Sequence, residues 1–183
     1  MAATSMNAQR GVTLIEMMIV GAVAGILFTM AVPAVSGGLE AARASEARAG
    51  LLASLMTAAT RAGITGIHGV LCPSNDGATC LNSPDWSSGW LVFLDSNASR
   101  DLEGGERILH IQAPLTGKVH LRSTVGRTRI VFQGNGGNAG SNVTFTLCDG
   151  RGPARARALI MSNTGGLRDG APSATGIAAT CEK

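Results

Sequence analysis

"GVTLIEMMIVGAVAGILFTMAVPAV", Gly11–Val35, is the stretch on which the reading of the chain turns. From Met17 to Val35 it carries no charge, a run long enough to cross a bilayer as a helix. One residue disturbs this picture. Glu16 stands at the start of the run, and a carboxylate at membrane depth costs about 2.5–3.5 kcal/mol unless it is answered. A secretory signal peptide has a shorter apolar core followed by a small-residue cleavage site. "AVPAVSG" has that composition, but here the apolar region contains Glu16 and runs on into helix-forming sequence.

Outward from the run, residues 1–10 are polar and end in Arg10, with Met1 or Met6 as the start. The other flank, "LEAARASEARAGLLASLMTAATRAG", is rich in strong helix formers. Leu51, Leu55 and Ala59 fall on one face, with Leu52 and Met56 beside them, a helical period. Glu40, Arg43, Glu46 and Arg48 suit solvent or a neighbouring subunit. A helix is expected from Val12 to Arg61, kinked or locally opened at Pro33 and weakened at Gly37-Gly38. Gly21-x-x-x-Gly25 permits close helix packing.

Beyond Gly66 the texture changes to short apolar runs divided by turn residues. Strands are expected at Gly89–Asp95, Arg107–Gln112, Lys118–Ser123, Thr128–Gln133, Asn142–Cys148 and Arg157–Asn163. Val119/Leu121, Ile130/Phe132 and Val143/Phe145/Leu147 alternate with polar residues, as in half-buried antiparallel strands. The tail after Arg168 reads as loose unless Cys181 pins it. Cys72, Cys80, Cys148 and Cys181 show no zinc spacing. Cys72 and Cys80 bracket a short turn-forming loop that could close locally, leaving Cys148 to Cys181, although four cysteines allow three connectivities and free thiols are the plain alternative. The net charge of +3 is too small to specify a nucleic-acid partner.

Gly11-Val12-Thr13-Leu14-Ile15-Glu16 resembles the leader motif of type IV pilins and type II secretion pseudopilins. The resemblance implies cleavage by prepilin peptidase between Gly11 and Val12, then N-methylation at Val12, where the family usually has Phe. Glu16 would be fifth in the mature chain, and Pro33 also matches the family's helix. Glu16 could pair with the new amine at Val12, within one chain or between neighbours, so that charge matching sets the register of assembly. The blocks "GWLVFLDSNASRDLEGGERIL" and "FTLCDGRGPARARALIMSNTG" resemble the GspH/FimT family of minor pilins and pseudopilins.

That resemblance implies an α+β fold: a long N-terminal helix, its first half transmembrane, packed on a small antiparallel, sandwich-like β domain. The divisions expected are a leader at 1–11, a transmembrane assembly half at 12–36, an amphipathic half at 37–63 and a periplasmic β-rich domain at 64–183. The implied role is a minor subunit in pilus assembly, in some cases at the tip, with a type II secretion pseudopilin as the alternative. The implied partners are prepilin peptidase, other minor pilins, the major pilin or pseudopilins, and the inner membrane, with the C-terminal domain in the periplasm.

Two sharper readings attach to loops. Asp95, Asn97, Ser99, Asp101 and Glu106 fall at the first, third, fifth, seventh and twelfth positions of a calcium-loop spacing, but Arg100 occupies the sixth, where Gly is wanted. A solvated connecting loop is the simpler reading. DNA is the other: DNA-binding members of the family carry Gly-Arg-x-Arg near the C-terminus, whereas this chain has Gly165-Gly166-Leu167-Arg168 there. Gly126-Arg127-Thr128-Arg129 has the letters on another segment, and Arg151, Arg155 and Arg157 add a basic cluster able to contact phosphates. His68, His110 and His120 are scattered, and no nucleophile or phosphate-loop motif appears, so the chain reads as a non-enzyme without a cofactor.

Overall fold

The computed structural model describes residues 11–135, 137–138 and 140–182, with the backbone alone at Pro33. Residues 1–10, the expected leader up to and including Arg10, lie outside the described residues. Contacts divide the chain into two units, Met1–Gly38 and Leu39–Lys183. One helix, α1 (Leu14–Thr65), belongs to both.

In the first unit α1 exposes its apolar side chains on every side, from Leu14 and Ile15 through Phe28 to Val35. The helix is long and apolar enough to cross a membrane, with a mean hydropathy of 2.2 over its best window and none of that window buried. The Thr29 hydroxyl is satisfied inside the helix, donating to the Ile26 carbonyl at 2.7 Å. Helix continues through Pro33 and Gly37-Gly38, so the opening expected there does not end the element. Proline removes only the bond to the carbonyl four residues back, and the turns on either side keep theirs.

In the second unit α1 buries a stripe of Ala44, Ala47, Leu51, Leu55, Ala58 and Ala62, spaced by three and four residues. Ala58 and Ala62 carry the stripe where Ala59 was expected; Ala59 and Leu52 are partly buried, and Met56 is exposed. The helix ends on Gly66, whose φ of +71° suits glycine and whose N–H reaches the Ala62 carbonyl at 2.9 Å.

Two four-stranded antiparallel sheets follow. Strands β1 (His68–Pro73), β2 (Trp90–Asp95), β3 (Arg107–Gln112) and β5 (Ile130–Phe132) form one, in the order β3-β2-β1-β5. Strands β4 (His120–Ser123), β6 (Val143–Cys148), β7 (Arg157–Met161) and β8 (Leu167–Gly170) form the other, in the order β4-β6-β7-β8. The stripe of α1 packs on residues from both: Leu71, Trp90 and Ile130 of the first, Leu121, Phe145 and Leu159 of the second. Trp86 packs its edge against Phe145, and the Trp90 indole donates to the buried Ser54 hydroxyl at 2.9 Å.

The opposite face of the first sheet is also buried, by Val70, Leu91, Phe93 and Val131, with the Cys72–Cys80 loop and Leu102 over it. Both faces being covered, β1 and β2 read as unbroken apolar runs rather than alternating ones. The tail is not loose: helix α2 (Ala174–Cys181) starts at Ser173, whose hydroxyl accepts from the Gly176 N–H, and it packs on β4 and β6. Cys181 at its end is bonded to Cys148, so the tail is held.

Gly69 of β1 lies under the helix, and a Cβ there would run into the Ala58 carbonyl. Backbone cannot move aside as a flexible side chain can. Gly69→Ala should therefore lower unfolding stability by about 1–3 kcal/mol, read as a drop in Tm, while Gly104→Ala, with open space around it, should cost much less.

Candidate functional site

The start of α1 is built as a reciprocal cap. The Glu16 N–H donates to the Thr13 hydroxyl at 3.3 Å, and the Thr13 N–H donates to the Glu16 carboxylate at 3.4 Å. Thr-x-x-Glu is the capping-box pattern, in which two otherwise unpaired N–H groups are satisfied together. The pattern is readable in Thr13-Leu14-Ile15-Glu16, and attention to Glu16 as a membrane charge passed over it. The cap holds the carboxylate at the helix N-terminus, one residue from the Val12 nitrogen, where the positive end of the helix dipole also favours a negative charge. Gly21 and Gly25 have nothing within 4 Å of where a Cβ would stand.

Both disulfides form in the local arrangement, Cys72 with Cys80 and Cys148 with Cys181, each with Cα atoms 5.5 Å apart. No described cysteine is free.

In the loop after β2 the carboxylates are turned onto the loop's own backbone. Asp95, almost fully buried, accepts from the N–H groups of Ser99 and Arg100 at 3.1 and 2.9 Å. Glu106 accepts from Ser96 and Glu103, both at 3.0 Å. Asn97 donates to Glu103 at 2.9 Å, and the Ser99 hydroxyl donates to the Asp101 carbonyl at 3.0 Å. Arg100 takes the left-handed turn without glycine, at φ +68°, as does Ala98 at +63°. Among the described residues no group of three or more His, Cys, Asp or Glu is placed to hold a metal ion.

The arginines separate into two kinds. Arg129 is spent inward: it pairs with Asp101 and donates to the Leu81 carbonyl at 2.7 Å, tying two loops together. Arg127 donates to Asn142 at 2.7 Å. Gly126-Arg127-Thr128-Arg129 is therefore a structural brace. Arg168 is exposed on β8 beside Asp169.

Arg151, Arg155 and Arg157 do come together, around a recess of about 60 Å³ between α1 and the end of β6. Arg48 of α1 completes it, a residue that sequence separation hid. The loop that carries them is fixed by its own bonds: Asp149 accepts from the Arg151 N–H at 2.9 Å and from its guanidinium at 2.7 Å, and Arg155 ends a single 3-10 turn, Pro153–Arg155. Asp169 accepts two bonds from the Arg48 Nη2, at 2.7 and 2.8 Å.

A single apolar helix that continues into a two-sheet, disulfide-closed domain defines the class of pilin-like subunits. A family profile described as "Type II transport protein GspH" matches residues 44–165, and one described as "Prokaryotic N-terminal methylation motif" matches residues 6–32. The chain belongs to the GspH family of minor pilins and pseudopilins, a family of structural proteins. Comparison with curated protein sequences gives no match. The fold is shared with the type IV minor pilin FimU of Pseudomonas aeruginosa PAO1. One crystal form is 18% identical with a TM-score of 0.55, covering 73% of this chain and 89% of that chain. A second is 19% identical with a TM-score of 0.52, covering 70% and 90%.

Three carboxylates hold the loops of this domain in place. Burial pushes the Glu40 carboxyl upward, but bonds from the N–H groups of Gly150 and Lys118 and from Arg43 together outweigh it and leave it lowered. Asp149 follows the same pattern, burial being overcome by Arg151. Asp76 is held well below the usual carboxylate range by the Ala78 and Thr79 N–H groups and the Thr79 hydroxyl. A carboxyl whose folded pKa is depressed adds stability above its unfolded value and loses it as pH falls through the folded one. Urea midpoints should be level from pH 7 to about 5 and fall below about pH 4. Glu40→Gln should lower the midpoint at pH 7 and reduce its fall at acid pH.

Proposed function

We propose that this chain is a minor pilin, cleaved by prepilin peptidase between Gly11 and Val12, methylated at Val12 and built into a type IV pilus. The observation that carries the reading is the match to the methylation motif over residues 6–32, joined in one chain to a GspH domain. The fold shared with FimU supports the pilus over other machines. The apolar half of α1 would anchor the subunit in the inner membrane before assembly. Two disulfides suit an oxidising compartment, which supports placing the domain in the periplasm. The family description itself favours a second reading, a pseudopilin of a type II secretion system. Deleting the gene separates them: loss of surface pili supports the first, and loss of secreted proteins with pili intact supports the second.

Cleavage exposes an ammonium at Val12, next to the Thr13 N–H on which the capping box already holds the Glu16 carboxylate. Pairing of the two would neutralise both charges in the membrane, within a chain or between neighbours. Intact mass of the membrane-extracted protein should give a chain starting at Val12 with one added methyl; an uncut chain, or a start after Gly37, would overturn the assignment.

Glu16→Gln separates the two roles of the residue, because Gln can complete a capping box but carries no charge. Both Glu16→Gln and Glu16→Ala should insert and be cleaved, and both should enter filaments roughly tenfold less well, the effect of about 1.4 kcal/mol of lost pairing. If Glu16→Gln assembles like the parent and only Glu16→Ala fails, capping is the residue's role and the charge pairing is wrong.

A further inference from the structure

We propose that the recess bounded by Arg48, Arg151, Arg155 and Arg157 binds the phosphate of an anionic phospholipid headgroup, a proposal that rests on the apolar half of α1 lying in the membrane. Its size admits the group: about 60 Å³ leaves room for a small oxyanion. Its chemistry fits as well, because guanidinium forks match phosphate oxygens in paired hydrogen bonds.

The four arginines divide the work. Arg48 and Arg151 are fixed in position by Asp169 and Asp149, as a rigid frame. Arg155 and Arg157 are exposed and make no salt bridge or side-chain hydrogen bond among the described residues, although Asp149 attracts Arg157 through space, so their N–H donors are available to a ligand. Ser45 lines the recess from the helix side. Asp149 also lines it, and both of its oxygens are taken up by Arg151.

Position along the chain selects the source of the phosphate. The apolar run ends at Val35, and the recess begins at Ala41. Six residues span at most about 20 Å even fully extended, a tether short enough to let the near edge of the recess meet the headgroup layer. Basic side chains at that depth attract anionic lipid.

The test uses the full chain, delipidated in neutral detergent, with bound ligand counted by native mass spectrometry. The probes are short-chain phosphatidylglycerol, short-chain phosphatidylcholine, inorganic phosphate and a short DNA duplex. One phosphatidylglycerol per chain is expected, in preference to phosphatidylcholine. Occupancy should fall at least roughly tenfold in Arg155→Gln/Arg157→Gln, and should not change in Arg107→Gln, an exposed arginine of β3. Ser45→Gln narrows the recess without removing any arginine, and should also reduce binding.

Equal lipid binding by the parent and the double variant would overturn the proposal, as would equal binding of the two lipids. Inorganic phosphate bound as tightly as lipid would make this a free-anion site, and DNA displacing the lipid would make it a nucleic-acid site. The same spectra report the Val12 start and its methyl group. A processed chain that ignores the lipid removes only the recess proposal, whereas an unprocessed chain that binds it removes only the pilin reading.

Discussion

The second unit depends on one surface, the stripe from Ala44 to Ala62 along α1, because both sheets bury their inner faces against it. Four of its residues are alanine, and two glycines, Gly50 and Gly69, lie where the helix meets Gln112 and β1. Small side chains let backbone approach backbone, so the large residues that fill the core come from the strands and their connections: Trp90 of β2, Phe145 of β6 and Trp86 between β1 and β2. Burying side chains of this size contributes on the order of 1.5–3 kcal/mol each. A chain with only 3% aromatic residues has concentrated three of them beside the helix. The helix is thus both the spine of the second unit and the continuation of the apolar segment.

A helix shared between two environments must be sealed at each transition. At its first turn Thr13 and Glu16 satisfy each other's N–H groups. In the second unit Glu40 accepts from the backbone of Gly150 and Lys118, which fastens the first turns after Gly38 to two loops of the second sheet. Arg48 does the same for β8 through Asp169. Glu40, Arg43 and Arg48, which sequence alone assigns to solvent or neighbours, are largely occupied within the chain. The arginine recess lies between these fastenings, and its charge is ordered because its neighbours are.

Legibility followed the range of the interactions. The helix, the alternating strands and the local Cys72–Cys80 loop are visible in the sequence because each depends on residues a few positions apart. β1 is missing from that reading for a physical reason: as a central strand buried on both faces it shows no alternation, and Gly69, required by the close helix, looks like a turn. β8 is missing because Leu-Arg-Asp-Gly has no apolar pattern, and it takes its place by pairing with β7. α2 is short and small-residue-rich, and depends on Cys148–Cys181 and on packing rather than on propensity. Among the site residues, the leader motif is contiguous and legible. The recess joins Arg48 to arginines about a hundred positions away, and no spacing rule could have joined them.

Under the processing proposed above, Glu16 would serve a precursor and a product in succession. Before cleavage the Val12 nitrogen is an amide, and the carboxylate closes the cap by accepting from Thr13. After cleavage that nitrogen would become an ammonium, and a carboxylate already held on the neighbouring Thr13 N–H would meet a positive charge in a medium that screens poorly. The cap would therefore prepare the geometry for such a pair, since the side chain is already fixed when the helix forms. A carboxylate that first satisfies its own helix, and then an amine made by processing, answers the desolvation cost that makes the opening of this apolar run look improbable.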